Sequence, residues 1–269
     1  MAGLLLVGGG KMGGALLGGW LKRGILKPGH ITVVEPDITT ATAIRRRHRV
    51  AVVADPGNIT ARPATVVFAV KPQAMDAVAP AYVRFTGPNT VFLSIAAGKT
   101  IGYFQSRLGT KAAIVRAMPN TPAAVGRGIT VAVANKRAGK AQRKRCDRLL
   151  AAVGEVAWIG DEALMDAVTA VSGSGPAYVF LLAECLAEAG RAAGLPVALS
   201  RRLARVTVAG SGELLHRSDD APETLRKSVT SPGGTTAAAL ELLMAADGLQ
   251  PLLTRAIAAA AKRSKELAS

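Results

Sequence analysis

The chain has 269 residues, of which 49% are apolar, and it carries 34 Lys and Arg against 18 Asp and Glu for a formal charge of +16. That length suffices for one large core or two modest ones, and the apolar content excludes a disordered polyelectrolyte. Two widely separated cysteines without metal or redox spacing, no expected apolar run long enough for a bilayer and no basic leader before the first apolar run point to a reduced, cytoplasmic, metal-free protein.

Leu4 to Val7 read as a buried first strand, and Gly8, Gly10 and Gly13 follow as G-x-G-x-x-G ahead of a helix-compatible stretch from Met12 to Leu26. The first glycine permits the turn, the second lets a pyrophosphate approach the backbone, and the third lets helix and strand pack closely. The helix start then directs free N–H groups and a positive dipole end at phosphate. Glu35, at the end of the second strand Ile31 to Glu35, stands where a dinucleotide ribose is read.

Pro36-Asp37 opens a helix running to about His48. Further strands are expected at Thr65–Val70, Thr90–Ile95, Ala112–Met118, Gly128–Ala134 and Glu155–Trp158. Strands alternating with helical stretches predict an α/β fold with a parallel, doubly wound sheet. Ligands in such sheets lie beyond the carboxyl ends of the strands, which gathers the glycine turn, Glu35, Ala69 to Pro72 and Ile95 to Ala97 along one trough. Lys71, at a strand end on that edge, reads as a cofactor-binding lysine.

The basic stretch Lys136 to Arg148 reads as a helix with a solvated face, and none of the chain's aromatics (5 Phe, 3 Tyr, 2 Trp) is interleaved with it. This favours a generally basic surface and no specific nucleic-acid partner.

Strand signals stop near Asp161. Helices are expected at Asp161–Val171, Pro176–Ala193, Leu199–His216, Glu223–Val229, Thr235–Ala246 and Leu249–Leu267. Their wide apolar faces exceed the needs of one small core and point to a subunit interface. The expected organisation is a Rossmann dinucleotide-binding domain over residues 1–160 and a helical domain over 161–269. Two small-residue loops in the helical half, Ser172–Ala177 and Thr230–Thr236, precede helix starts and offer amides and hydroxyls to a small carboxylate. His30, His48 and His216 sit at element ends, and no nucleophilic triad or metal cluster is legible. A hydride donor beside an anion pocket, with little acid–base apparatus, suits imine reduction.

At these loops the sequence resembles the pyrroline-5-carboxylate reductase family of proline biosynthesis. The resemblance is carried by VGGGKMGGAL, FAVKPQ, SIAAGKTI, RAMPNTPA, DAVTAVSGSGPAYVF and LRKSVTSPGGTTAAALELL. It implies that Val7, Gly8, Gly9, Gly10, Lys11, Met12 and Gly13 hold the cofactor pyrophosphate. Ala69, Val70, Lys71 and Pro72, with Ile95, Ala96 and Ala97, would line the nicotinamide side. Glu162, Ser174, Gly233, Gly234, Thr235 and Thr236 would form the substrate site for a cyclic imino acid, with Thr236 as the catalytic hydroxyl near the imine nitrogen. It also implies homodimers of intertwined C-terminal helices, assembled further into rings such as decamers.

Two departures from the family stand out. Glu35 replaces the small hydroxyl residues that receive a 2′-phosphate, which leans towards NADH; Arg45 to Arg47, one helix away, keep NADPH open. Ser228 stands where some relatives carry a cofactor-contacting asparagine. A β-hydroxyacid dehydrogenase would share the glycine start but wants a lysine on the long helix, and Pro176–Ala193 contains none. A cofactor-binding regulatory protein without turnover remains the alternative from another class.

Overall fold

The computed structural model describes residues 3–268. β1 (Leu4–Val7) leads through the glycine turn into α1 (Lys11–Lys22), and β2 (Ile31–Val34) into α2 (Ile38–His48) and β3 (Ala51–Val53). β4 (Thr65–Phe68) precedes the short α3 (Met75–Val78), and β5 (Val91–Ser94) precedes α4 (Ile101–Leu108). β6 (Ala113–Met118) and β7 (Gly128–Ala134) follow, then α5 (Lys140–Leu150) and β8 (Gly154–Trp158). The eight strands form one sheet in the order β3-β2-β1-β4-β5-β6-β7-β8. Leu4 pairs with Ile31 on one side and Thr65 on the other, so the strand order turns between β1 and β4.

Two features differ from the sequence expectation. The sheet is parallel except between β6 and β7, which run antiparallel. A parallel return needs a crossover of about a dozen residues or more, usually a helix, and the link after β6 holds only a 3-10 turn, Thr121–Val125. β3 has no counterpart among the strands expected from the sequence. It is a three-residue edge strand with an exposed, a buried and a half-buried residue, too short and too uneven to stand out.

The strand period of two divides the apolar residues between the faces of the sheet. Leu4 and Leu6 pack with Leu16, Leu17 and Trp20 on one face, while Leu5 and Val7 pack with Phe68, Tyr82 and Phe104 on the other. Trp20, fully buried, donates its Nε1–H to the Leu149 carbonyl at 2.8 Å. On the opposite face Phe68 stacks on Phe92 and Phe104 and meets Tyr82 edge-on.

Arginines fasten the periphery of this unit. Arg23 donates to the Ala151 carbonyl, Arg45 to Val52, Arg62 to Thr86, Arg84 to Pro56 and Ile59, Arg143 to Ala138 and Arg145 to Ala64. Two of these, Arg143 and Arg145, come from the basic stretch singled out in the sequence.

After β8 the described residues form helices and turns. A 3-10 turn (Glu162–Leu164), α6 (Met165–Val168) and a π-helical turn (Thr169–Gly173) lead to α7 (Gly175–Ala192) and α8 (Val197–Arg217). α9 (Pro222–Ser228), α10 (Thr235–Leu243) and α11 (Leu249–Ala268) complete the chain. The chain divides into two compact units. One takes the described residues up to Gly173 and those from Ala261 onward; the other is Ser174–Ala260.

The segment Ser172–Ala177 is not the open loop its composition predicts. Ser172 and Gly173 finish the π-helical turn, and α7 begins at Gly175 with Pro176 in its first turn, where no amide is missed. Ser172 bonds back to the Val168 carbonyl, and a Cβ on Gly173 would come within 2.6 Å of Met118 Cε. The small residues serve a wide turn and a close approach. This near-continuity also corrects the expectation about bilayer-length runs: Glu162–Ala192 is long and apolar enough to cross a membrane by length and composition. Its apolar side chains lie largely at the surface of the single chain, with Val179, Phe180, Leu181 and Leu182 all exposed.

Candidate active site

The glycine turn takes the shape that its spacing predicts, with a division of labour among its members. Gly8 has φ +96°, and a Cβ there would lie 2.8 Å from the Ala69 carbonyl; a Cβ on Gly13 would lie 2.3 Å from the Gly8 carbonyl. Those two are required by the protein's own packing. Gly10 is exposed and has nothing within 4 Å of its would-be Cβ. It is also the N-cap of α1 and offers no side-chain cap, so the first amides of that helix have no partner of its own. An open, uncapped helix start fits a pyrophosphate.

Glu35 reaches into this turn. Its Oε2 accepts the Gly9 amide at 2.8 Å and its Oε1 accepts the Asp37 amide at 3.1 Å. Asp37 in turn caps α2 by accepting from the Thr40 amide, and its hydrogen bonds with Thr40 hold its carboxyl below the usual carboxylate range. Of the nearby arginines, Arg45 is committed to the Val52 carbonyl, while Arg46 and Arg47 are exposed.

The other edge residues arrive by strand register. The Ala69 amide donates to the Val7 carbonyl, the Ile95 amide to Phe68, and the Ala96 amide to the Ser94 hydroxyl at 3.2 Å. Val7 to Gly13, Glu35, Ala69 to Pro72 and Ile95 to Ala97 therefore share the carboxyl ends of β1, β2, β4 and β5, beside the point where strand order turns. Lys71 is exposed there, just before a 3-10 turn that begins at Pro72.

Glu162 belongs to the same unit. Its Oε1 accepts both the Ile101 amide at the start of α4 and the Arg116 guanidinium, each at 2.8 Å. Arg116, whose side chain is 7% exposed, was not singled out from the sequence. A signal was there: a lone arginine inside the buried strand AIVRAM must find a carboxylate or stay uncompensated.

The second unit holds the remaining candidates. Thr230 bonds back to the Arg226 carbonyl at the end of α9, and Gly233, with φ +67°, makes the turn that brings the Gly234 amide to the Ser231 carbonyl. Gly234 opens α10 without a side-chain cap, which leaves the amides of Thr235 and Thr236 at a bare helix start. Gly233, Gly234, Thr235 and Thr236 thus form one local group. Ser228 points its hydroxyl back to the Leu225 carbonyl, and Ser174 precedes α7 without capping it. Among the described residues no three His, Cys, Asp or Glu side chains gather as a metal would require.

Comparison with known proteins gives this arrangement a context. Residues 162–267 match the family model for pyrroline-5-carboxylate reductase dimerisation, and residues 3–98 match the one described as NADP oxidoreductase, coenzyme F420-dependent. The pyrroline-5-carboxylate reductase of Synechocystis is 39% identical over 262 residues, 97% of each chain. That of Pseudomonas aeruginosa is 44% identical over 203 residues, 76% of this chain and 74% of that protein. Among solved structures, a pyrroline-5-carboxylate reductase from Coxiella burnetii superposes with a TM-score of 0.92 at 33% identity, covering 100% of this chain and 99% of that one. The Plasmodium falciparum pyrroline carboxylate reductase with NADP bound gives 0.82 at 31% identity, covering 100% and 98%. Glycine turn, helical second domain and end-to-end similarity agree: the chain belongs to the pyrroline-5-carboxylate reductase family.

Proposed function

We propose that this chain reduces 1-pyrroline-5-carboxylate to L-proline, the last step of proline biosynthesis, with NADH or NADPH. The observation that carries the reading is the open Gly10 turn in a chain that aligns over 97% of its length with a pyrroline-5-carboxylate reductase. Val7 and Gly8 to Gly13 cradle the pyrophosphate against the start of α1. Ala69 to Pro72 and Ile95 to Ala97 line the nicotinamide side. When bound, the reduced nicotinamide supplies a hydride to the carbon of the protonated C=N bond. The amides of Gly233 and Gly234 receive the substrate carboxylate, and Glu162, Ser174 and Thr235 are further substrate-binding residues. The Thr236 hydroxyl bonds the imine nitrogen and orients its bond for attack.

Glu35 sets the cofactor preference in this reading. A carboxylate accepts the ribose hydroxyls of NADH and repels a 2′-phosphate, while Arg46 and Arg47 offer the opposite charge, so NADH leads and NADPH stays open. The match to a dimerisation model means that the helical domain self-associates. We assign residues 1–160 to cofactor binding and 161–269 to substrate binding and dimerisation. Assembly into a ring such as a decamer, a cytoplasmic setting, and no specific nucleic-acid or membrane partner belong to the same reading.

The test is substrate-dependent loss of reduced-cofactor fluorescence with NADH and, separately, NADPH. Rapid loss supports the reaction, and the ratio of the two rates reads Glu35. Thr236→Ala is expected to lower kcat at least about tenfold with cofactor affinity unchanged; an unchanged kcat removes Thr236 from the mechanism.

A further inference from the structure

The connector between β5 and α4, residues 95–100, leaves the sheet edge at the proposed nicotinamide side and is pinned at both ends. At its start the Ala96 amide is held by the Ser94 hydroxyl. At its far end the Ile101 amide is held by Glu162 Oε1, and the same oxygen takes the Arg116 guanidinium. Arg116 stands directly beside Ser94 in the parallel register of β5 and β6, so both pins spring from one row of the sheet. Ile101 and Met118 pack against the buried cluster of Val131, Val133 and Met165, which seats the far pin on a small apolar group of its own. Thr100 adds a cap to the Tyr103 amide, so two side-chain acceptors hold the start of α4.

From this geometry we infer that Arg116 and Glu162 are a positioning pair for the cofactor: they fix the 95–100 connector, and with it the nicotinamide wall. The inference rests on the reductase reading, and it gives Glu162 a different task from the substrate contact assigned to it above. A buried guanidinium holds its carboxylate partner in one place, because separating them leaves a charge without compensation. Glu162 Oε1 is thereby presented to the Ile101 amide rather than to solvent. A substitution at either member frees the same element, so the two effects overlap.

The experiment is a double-mutant cycle read by cofactor binding without substrate, following the fluorescence of the reduced nicotinamide, with KM for the imino acid and kcat measured alongside. Glu162→Gln and Arg116→Met are each expected to raise the cofactor Kd about fivefold to tenfold, and the double variant no further than the weaker single, because coupled neighbours are not additive. Arg116→Lys is expected to fall closer to wild type than Arg116→Met. If Arg116→Met does not fold, the cycle is read with Arg116→Lys, which should add nothing to Glu162→Gln. An unchanged cofactor Kd with a raised KM for the imino acid overturns the inference and returns Glu162 to the substrate. Additive losses overturn it as well. Wild-type protein that binds cofactor without turning over the imine sinks the reductase reading alone, since the binding cycle still reports on the pair.

Discussion

The sheet unit and the helical unit use similar apolar content in opposite ways. In β1, β4 and β5 every residue is buried, and the apolar side chains close two cores on either face of one sheet. In α7, α9 and α10 no residue is buried, and α8 buries only Ser200 and Ala204. Phe180 on α7 is 62% exposed and Leu242 on α10 is 78% exposed. The first unit consumes its hydrophobic residues internally; the second holds them out for another surface. Continuous apolar patches of this kind mark association sites in soluble proteins, in keeping with the dimerisation model that the region matches.

The contrast can be broken most directly on α7. Phe180→Glu with Leu181→Glu should dissociate the assembly in sedimentation experiments and lower Tm by about 10 °C, because it places charge without compensation in an apolar interface. Retained assembly would show that this face is not the contact. Next in size, Trp20→Ala should cost about 3–5 kcal/mol in urea unfolding, since it removes the largest fully buried side chain of the sheet unit; a loss under about 1 kcal/mol would mean that the stability resides elsewhere.

A smaller effect separates packing from ligand binding within the sheet unit. Gly10→Ala should leave stability within about 0.5 kcal/mol and raise the cofactor Kd about tenfold. The reverse outcome, lost stability with unchanged affinity, would make Gly10 a demand of the fold. The smallest effect is at the surface. The Tyr103 hydroxyl, and then Arg107, hold the Asp76 carboxyl below its ordinary 3.8. A carboxylate with a lowered folded pKa stabilises above its unfolded pKa and loses that contribution as pH falls through the folded one. Thermal melts of Asp76→Asn should therefore lie slightly below wild type above about pH 4 and converge with it at more acid pH; a constant gap across that range would contradict the assignment.

Much of this was legible in the residues. Buried strands announce themselves as short apolar runs between turn signals, and G-x-G-x-x-G before a helix carries its own mechanics. Strand direction was not legible, because a buried run reads the same both ways and only the short link after Met118 turns β7 antiparallel. The Ser172–Ala177 segment misled by composition: small residues serve a tight approach to Met118 as well as they serve a loop. At the candidate site, the glycine turn and the place of Glu35 at the end of β2 follow from spacing. The partnership of Arg116 with Glu162 spans 46 residues and depends on which face of β6 turns towards the 3-10 turn after β8. The lone arginine in AIVRAM signalled a partner without naming it.

The arginines at the rim of the sheet unit carry a broader consequence. Arg23, Arg45, Arg62, Arg84, Arg143 and Arg145 place their guanidinium groups on main-chain carbonyls of turns, connectors and the edge strand β3. A planar guanidinium suits this task by reach and geometry, and it brings its positive charge with it. A lysine at any of these places would keep the charge and lose the fork. Six of the chain's 34 Lys and Arg are thus fasteners, and a tally of its cations counts this joinery together with any charge offered to polyanions.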